Sequence, residues 1–170
     1  MSQNRGKQFE QVIKEAFLRV PNVSVNRLPD QVSGFKVTSS NICDFIIYKK
    51  PHEYYIECKT VHGNTLPFSN IRPNQWDGLL EKSKIDGVHA GVICWWVDKN
   101  VTLYLPIEFL ERAKELGFKS VPSYLFDVWI LETYDKLPEV IQGKKRRVFF
   151  DYDMQSFLEN MEKNYESSEN

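Results

Sequence analysis

Four segments place hydrophobic residues at steps of three and four, the spacing of a helix that buries one face. These predicted helices cover Lys7–Val20, the stretch from Pro73 to just before Gly87, Ile107–Leu116 and Met154–Tyr165. Proline is tolerated in a first helical turn and glycine commonly follows a last one, so the second segment carries both helix signals.

Shorter runs of hydrophobic residues lie between these helices and predict strands. The predicted strands are Val23–Leu28, Asp44–Tyr48, Tyr54–Thr60, Ala90–Val97, Val101–Leu105, Tyr124–Leu131 and Arg147–Tyr152. The second and third of them form a predicted hairpin with Pro51 in its turn. Strands mixed with helices in this order predict an α/β fold, with a mixed β-sheet flanked by helices.

Two stretches lack a regular pattern. Residues 26–41 are rich in polar residues and serine, and Gly34 interrupts them, so we expect a mobile arm there. A polar tail is expected from about residue 164. The chain of 170 residues is within the usual size of one domain, and we predict a single domain over residues 1–170.

The composition indicates a globular protein, with 42% hydrophobic and 26% charged residues. No apolar run approaches the roughly 20 residues that cross a bilayer, and the N-terminus has no signal-peptide core. We therefore expect a cytoplasmic protein without a membrane segment.

Cysteine and histidine spacing predicts no metal or disulfide motif. The three cysteines include no Cys-x-x-Cys pair, so they are interpreted as reduced core residues. His52, His62 and His89 lack the close helical spacing of a zinc protease, and none of them is assigned a catalytic role.

The formal net charge of −1 is unevenly distributed along the chain. The N-terminal part is basic, whereas the tail after Asp151 is acidic. Lys144, Lys145, Arg146 and Arg147 form a short basic block. Two interpretations remain open: the block follows phosphates and releases counterions, or it is a solvated hairpin turn.

Three charged residues lie close together in the predicted hairpin. Asp44 begins one strand, and the next strand carries Glu57-Cys58-Lys59 thirteen residues later. Because side chains alternate between the faces of a strand, Glu57 and Lys59 share one face while Ile56 and Cys58 face the other layer. Antiparallel pairing can bring Asp44 close to Glu57.

This arrangement suits a Mg²⁺ ion, which accepts one or two protein carboxylates and keeps several waters. The ion would polarise a phosphate, and Lys59 would offset charge that develops on it. Alternatively, Glu57 and Lys59 are only the exposed face of an edge strand, with Asp44 as a turn residue.

The flanking segments resemble one nuclease family. The matching motifs are Asn4-Arg5-Gly6-x-x-Phe9-Glu10, Asp44-Phe45-Ile46, Glu57-Cys58-Lys59-Thr60, Leu66-Pro67-Phe68 and Arg72-Pro73-Asn74-Gln75. Together they resemble the RecU family of Holliday junction resolvases, which belongs to the PD-(D/E)xK nuclease superfamily. The resemblance covers roughly residues 4–97 and implies a restriction-endonuclease-like fold.

The resemblance also implies roles for individual residues. Asp44, Glu57 and Gln75 would bind Mg²⁺, for which Mn²⁺ can substitute, and Lys59 would stabilise the transition state. Glu10 would approach from the first helix, although it is equally consistent with a solvated first-turn carboxylate. The residues expected to bind DNA are Arg5, Lys7, Arg27, Lys36 and Arg72.

The leading functional hypothesis is a homodimeric, Mg²⁺-dependent endonuclease that resolves four-way DNA junctions by paired cuts. Two symmetric cuts require two active sites related by a two-fold axis. One alternative is another nuclease of this superfamily, a repair or restriction enzyme that cuts duplex DNA. A second is a non-catalytic DNA-binding module with the same fold.

Overall fold

The computed structural model describes residues 2–29, 41–123 and 136–168. The predicted strand Tyr124–Leu131 and most of the predicted arm, including Lys36, lie outside the described residues. None of the helices in the described ranges is long and apolar enough to cross a membrane.

All four predicted helices are present with adjusted ends. They are α1 Ser2–Leu18, α2 Pro73–Ser83, α3 Ile107–Glu115 and α4 Met154–Ser168. The tail that was expected from about residue 164 is helical up to Ser168. The ring of Tyr165 packs against those of His52 and His89, which holds the last turns of α4 on the sheet.

Ten strands are formed by the described residues. They are β1 Ser24–Arg27, β2 Phe45–Lys49, β3 His52–Val61, β4 Thr65–Pro67, β5 Val88–Trp96, β6 Val101–Pro106, β7 Ser120–Pro122, β8 Glu139–Val140, β9 Gly143–Lys145 and β10 Phe150–Tyr152. Six of them form one sheet in the order β1-β2-β3-β5-β6-β8. The pairing of β3 with β5 is parallel and the other pairings are antiparallel, which confirms the predicted mixed sheet.

Helices cover both faces of this sheet. Phe9 and Ile13 of α1 and Phe157 of α4 pack on one face, whereas Leu79 of α2 and Phe109 of α3 pack on the other. The two layers of side chains on β3 follow the predicted alternation. Ile56 and Cys58 belong to the first layer, and Val61 belongs to the second.

The predicted strand Arg147–Tyr152 is wrong at its start, because the strand begins only at Phe150. Lys145 pairs with Phe150, so the residues between them form the turn of a hairpin made by β9 and β10. Strand β9 was not predicted, since its sequence Gly-Lys-Lys is wholly exposed and has no hydrophobic alternation.

Candidate active site

Asp44 and Glu57 lie opposite each other where β2 and β3 pair. Phe45 is the partner of Ile56, and the Asp44 N–H donates to the carbonyl oxygen of Ile56 at 3.0 Å. In return, the Cys58 N–H donates to Asp44 Oδ2 at 2.7 Å. One hydrogen bond from its backbone and one to its carboxylate therefore fix Asp44 just before β2, facing the strand that carries Glu57.

The Glu57 carboxylate is buried but only partly satisfied. Its side chain is 4% exposed, and Oε1 accepts a charge-assisted hydrogen bond of 2.6 Å from Lys59 Nζ. Its other oxygen, Oε2, is buried and has no hydrogen-bond partner among the described residues. A buried, unpaired carboxylate oxygen is costly, so this atom marks a place where a cation fits.

Helix α2 adds a neutral oxygen to the same place. Pro73 begins the helix, and the buried side chain of Gln75 turns back so that its Oε1 accepts from the Arg72 N–H at 3.2 Å. Lys59 Nζ lies 3.5 Å from the same Oε1. Lys59 thus lies between the Glu57 carboxylate and the Gln75 amide, as expected if all three residues belong to one site.

The electrostatics of the site favour a bound cation. Burial, and then the neighbouring Glu57 carboxylate, raise the pKa of Asp44 well above its usual range, against the opposing effect of the Cys58 N–H. Burial also raises the pKa of Cys43 to about 12, so its thiol is neutral in the metal-free fold. Asp44, Glu57 and Gln75 together therefore fit a hard divalent cation, which prefers oxygen ligands.

The described residues contain no group of three or more His, Cys, Asp or Glu residues that could hold a metal ion. The candidate set has only two carboxylates, and its third oxygen comes from an amide. Such a sparse set is compatible with Mg²⁺, which usually keeps several waters.

Glu10 lies near these carboxylates but already has a partner. Its charge is among those that raise the pKa of Asp44. Glu10 Oε2 accepts from Arg27 Nη2 at 2.9 Å, and the Glu10 side chain is only 19% exposed. Because Glu10 lies in the middle of α1 and is mostly buried, it is not a solvated first-turn carboxylate. Arg27 in turn ends β1 and reaches the site instead of extending into an arm.

The other residues expected to bind DNA differ in their exposure. Lys7 on α1 and Arg72 just before α2 are exposed, while Arg5 is half-buried near the start of α1. Lys36 lies outside the described residues. Arg27 thus pairs with Glu10, which lies near Asp44. The backbone of Arg72 contacts the side chain of Gln75.

Sequence reasoning missed His62, which contacts Arg5. Its Nε2 lies 3.4 Å from Arg5 Nη1, and its Nδ1 lies 3.1 Å from Asp98 Oδ1. Asp98 also accepts from the Gly63 N–H at 2.8 Å, and this bond and His62 lower the pKa of Asp98. No local pattern links residues 36 positions apart; only the parallel pairing of Val61 with Trp96 brings them together.

The fold and the site thus define a class: a mixed-sheet α/β protein with a partly buried carboxylate pair, a lysine and an amide at one end of its central strands. Comparison of the sequence with family models and with curated proteins gives no match. Among the matching solved structures is Hjc, a Holliday junction resolvase from the archaeal hyperthermophile Archaeoglobus fulgidus. The identity is 18% and the TM-score 0.49, over 69% of this chain and 88% of that chain. Function does not follow from a likeness of this size, so it depends on the chemistry of the site itself.

Proposed function

We propose that this protein is a Mg²⁺-dependent endodeoxyribonuclease that resolves four-way DNA junctions as a homodimer. The observation that carries the proposal is the buried, unpartnered Oε2 of Glu57, opposite Asp44 and beside the ammonium of Lys59. Carboxylates are costly to bury without a cation, so this pair is suited to binding a metal ion. The ammonium beside them is suited to binding a phosphate that the metal ion also contacts.

Asp44 and Glu57 would hold the metal ion, with Gln75 Oε1 as a third protein oxygen, and Mn²⁺ can replace Mg²⁺ in such a set. When bound, the ion supplies positive charge to the scissile phosphate and lowers the pKa of a coordinated water. The hydrogen bond from the Cys58 N–H holds the Asp44 carboxylate in place for this role.

Lys59 acts on the phosphate itself. Its side chain is 20% exposed, so the ammonium lies at the boundary between the buried Glu57 and solvent, where substrate arrives. A phosphate oxygen gains negative charge as the attacking water adds, and an ammonium donor stabilises that state more than the ground state. Glu57 and Gln75 position this ammonium through their contacts with Nζ.

The exposed Lys7 and Arg72 and the half-buried Arg5 are proposed to contact neighbouring phosphates of the substrate. Glu10 and Arg27 act together, since their ion pair holds the Glu10 carboxylate at a fixed place near Asp44. The preference for junctions and the homodimer rest on the sequence resemblance to RecU, because a junction requires two symmetric cuts. Lys36 and the arm around it would contribute to that preference.

One assay tests this function. Purified protein is incubated with a labelled four-way junction and with a matched linear duplex, in Mg²⁺ and in EDTA. We expect Mg²⁺-dependent paired nicks in the junction and much slower cleavage of the duplex. Lys59→Ala should slow cleavage by on the order of a hundredfold or more, while Lys84→Ala, which removes an exposed lysine just after α2, should cut like the wild type.

The alternatives give different outcomes in the same assay. Equal cleavage of both substrates would indicate a duplex nuclease and reject junction selectivity. Binding of DNA without cleavage in Mg²⁺ or Mn²⁺ would reject the enzyme and favour a non-catalytic module.

A further inference from the structure

The hairpin formed by β9 and β10 carries a basic turn that the proposed chemistry does not use. We call residues 143–152 the basic hairpin. Lys144, Lys145, Arg146 and Arg147 are all exposed. The hairpin is anchored through Phe149, whose ring centroid lies 5.4 Å from that of Trp95 on β5. It is therefore a surface element fixed to the central sheet rather than an isolated loop.

Most of the positive charge on the basic hairpin is not neutralised by nearby carboxylates. Asp151 pairs with Arg146 at 3.1 Å and with Arg19 of α1 at 2.7 Å. Lys145 instead donates to the neutral Asn100 Oδ1 at 3.0 Å. Within the described residues, the ion pairs include no carboxylate partner for Lys144 or Arg147.

The basic hairpin lies at the end of the sheet that carries the candidate active site. Trp95, to which the hairpin is anchored, pairs with Thr60, the residue that follows Lys59 on β3. The same end carries Arg5 and His62, since Val61 pairs with Trp96 and Asp98 contacts His62. The exposed Lys99 lies in the sequence between Asp98 and Asn100.

The basic hairpin and Lys59 approach this end of the sheet from different faces. Trp95, on which the hairpin packs, belongs to the layer of side chains that faces α1, whereas Cys94, the partner of Lys59, belongs to the layer that faces α2 and α3. Lys145 contacts Asn100, in the turn after β5, at the same end of the sheet. The hairpin therefore adds positive charge beside the site and not within it.

We propose that the basic hairpin is a second DNA-binding surface, which holds the sugar-phosphate backbone of the duplex arm that leads away from the cleaved bond. The inference rests on the proposed function, because it takes DNA as the substrate. Lysine and arginine side chains without carboxylate partners release counterions when they meet phosphates. The exposed Val148 of the turn has no ring for base stacking, and the ring of Phe149 packs on Trp95, so the contact is with the backbone and is independent of sequence.

The test compares Lys144→Ala/Arg147→Ala with a matched control, Lys50→Ala/Lys84→Ala, which removes two exposed lysines from the opposite end of the sheet. Affinity for junction and duplex is measured over a salt series, with Ca²⁺ in place of Mg²⁺. We expect the hairpin variant to bind on the order of tenfold more weakly near 0.1 M salt. The slope of log K against log salt should become shallower by about 1.8, because each lost phosphate contact removes about 0.9. The control should match the wild type in both quantities.

The two proposals fail in different ways. If the hairpin variant keeps wild-type affinity and salt slope, or if the control loses as much, the second surface is rejected whether or not the protein cuts DNA. Cleavage under single turnover at saturating protein should be unchanged in the hairpin variant, and a lower rate there would also reject a pure binding role. If the wild type binds DNA in a hairpin-dependent way but never cuts, only the nuclease proposal fails.

Discussion

The Cys58 N–H donates a hydrogen bond of 2.7 Å to Oδ2 of Asp44, so the backbone of one strand holds the acidic side chain at the end of the next. This bond only partly offsets the effect of burial and of Glu57, which raise the pKa of Asp44. Without a cation, two nearby carboxylates therefore lower the stability of the fold. Functional sites commonly reduce stability in this way.

Asp44→Asn should remove that cost along with the proposed metal ligand. We expect the variant to be more stable than the wild type in EDTA by about 1 kcal/mol, roughly 2–4 °C in Tm for a chain of this size. Added Mg²⁺ should raise the Tm of the wild type but not that of the variant. Thermal unfolding of both proteins in EDTA and in Mg²⁺ measures this. A variant that is stabilised by Mg²⁺ as much as the wild type would remove Asp44 from the ligand set.

Lys59→Ala should separate chemistry from binding. In its proposed role the ammonium stabilises the transition state, so cleavage should fall by on the order of a hundredfold or more. Affinity for DNA in Ca²⁺ should change by less than about threefold, because one phosphate contact among several is lost. Single-turnover kinetics and binding curves on the same substrate give both numbers. Near-normal turnover would contradict the assigned role of Lys59.

Arg27 and Lys36 should behave differently, although both were expected to lie on the arm. Arg27→Ala frees Glu10 beside Asp44, so we expect slower cleavage of junction and duplex in similar proportion. Lys36→Ala leaves that ion pair intact and should weaken binding to the junction more than binding to the duplex. Each single variant is assayed on both substrates at one salt concentration. If Arg27→Ala changes only junction binding, Arg27 acts on the arm and not at the site.

His89 should make the fold sensitive to acid. Burial, then His52 and Lys136, lower its pKa from 6.5 to about 4 in the fold, where its ring stacks on Tyr54. Between these pH values the unfolded chain binds more protons than the folded protein. The contribution of His89 to the free energy of unfolding is therefore fully present above about pH 6.5 and is lost as the pH falls toward 4. The loss is at most about 3 kcal/mol, since one pKa unit corresponds to about 1.4 kcal/mol.

Urea unfolding of the wild type and of His89→Gln at several pH values between 7 and 4.5 tests this. The variant should be less stable at pH 7 but lose less stability on acidification. Parallel pH curves for the two proteins would show that another group is responsible.

Periodicity in the sequence was sufficient for the elements with a strong apolar face. The helix of Phe9 and Ile13, the hairpin of β2 and β3, and the opposite faces of Cys58 and Glu57 were predicted correctly for that reason. Strand β9 was missed because tertiary contacts, and not its own residues, hold it extended.

Contacts between distant residues were harder to predict. The link between His62 and Asp98 depends on which strands pair, and a parallel pair cannot be identified from a local pattern. The link between Arg27 and Glu10 depends on where α1 lies against the end of β1. Residue type and spacing could indicate that both residues are charged, but not that they meet.

The parallel pairing of β3 with β5 also sets the order in which the site is assembled. Asp44, Glu57 and Lys59 are synthesised first, but β3 gains its parallel neighbour only after the chain has passed through α2 and reached Trp96. The same crossover delivers Gln75. Pairing between strands that are distant in sequence forms late in folding. A chain still being synthesised therefore contains these charged residues before they are brought together in a site. Under the proposed function, cleavage would then arise only once the central sheet has formed.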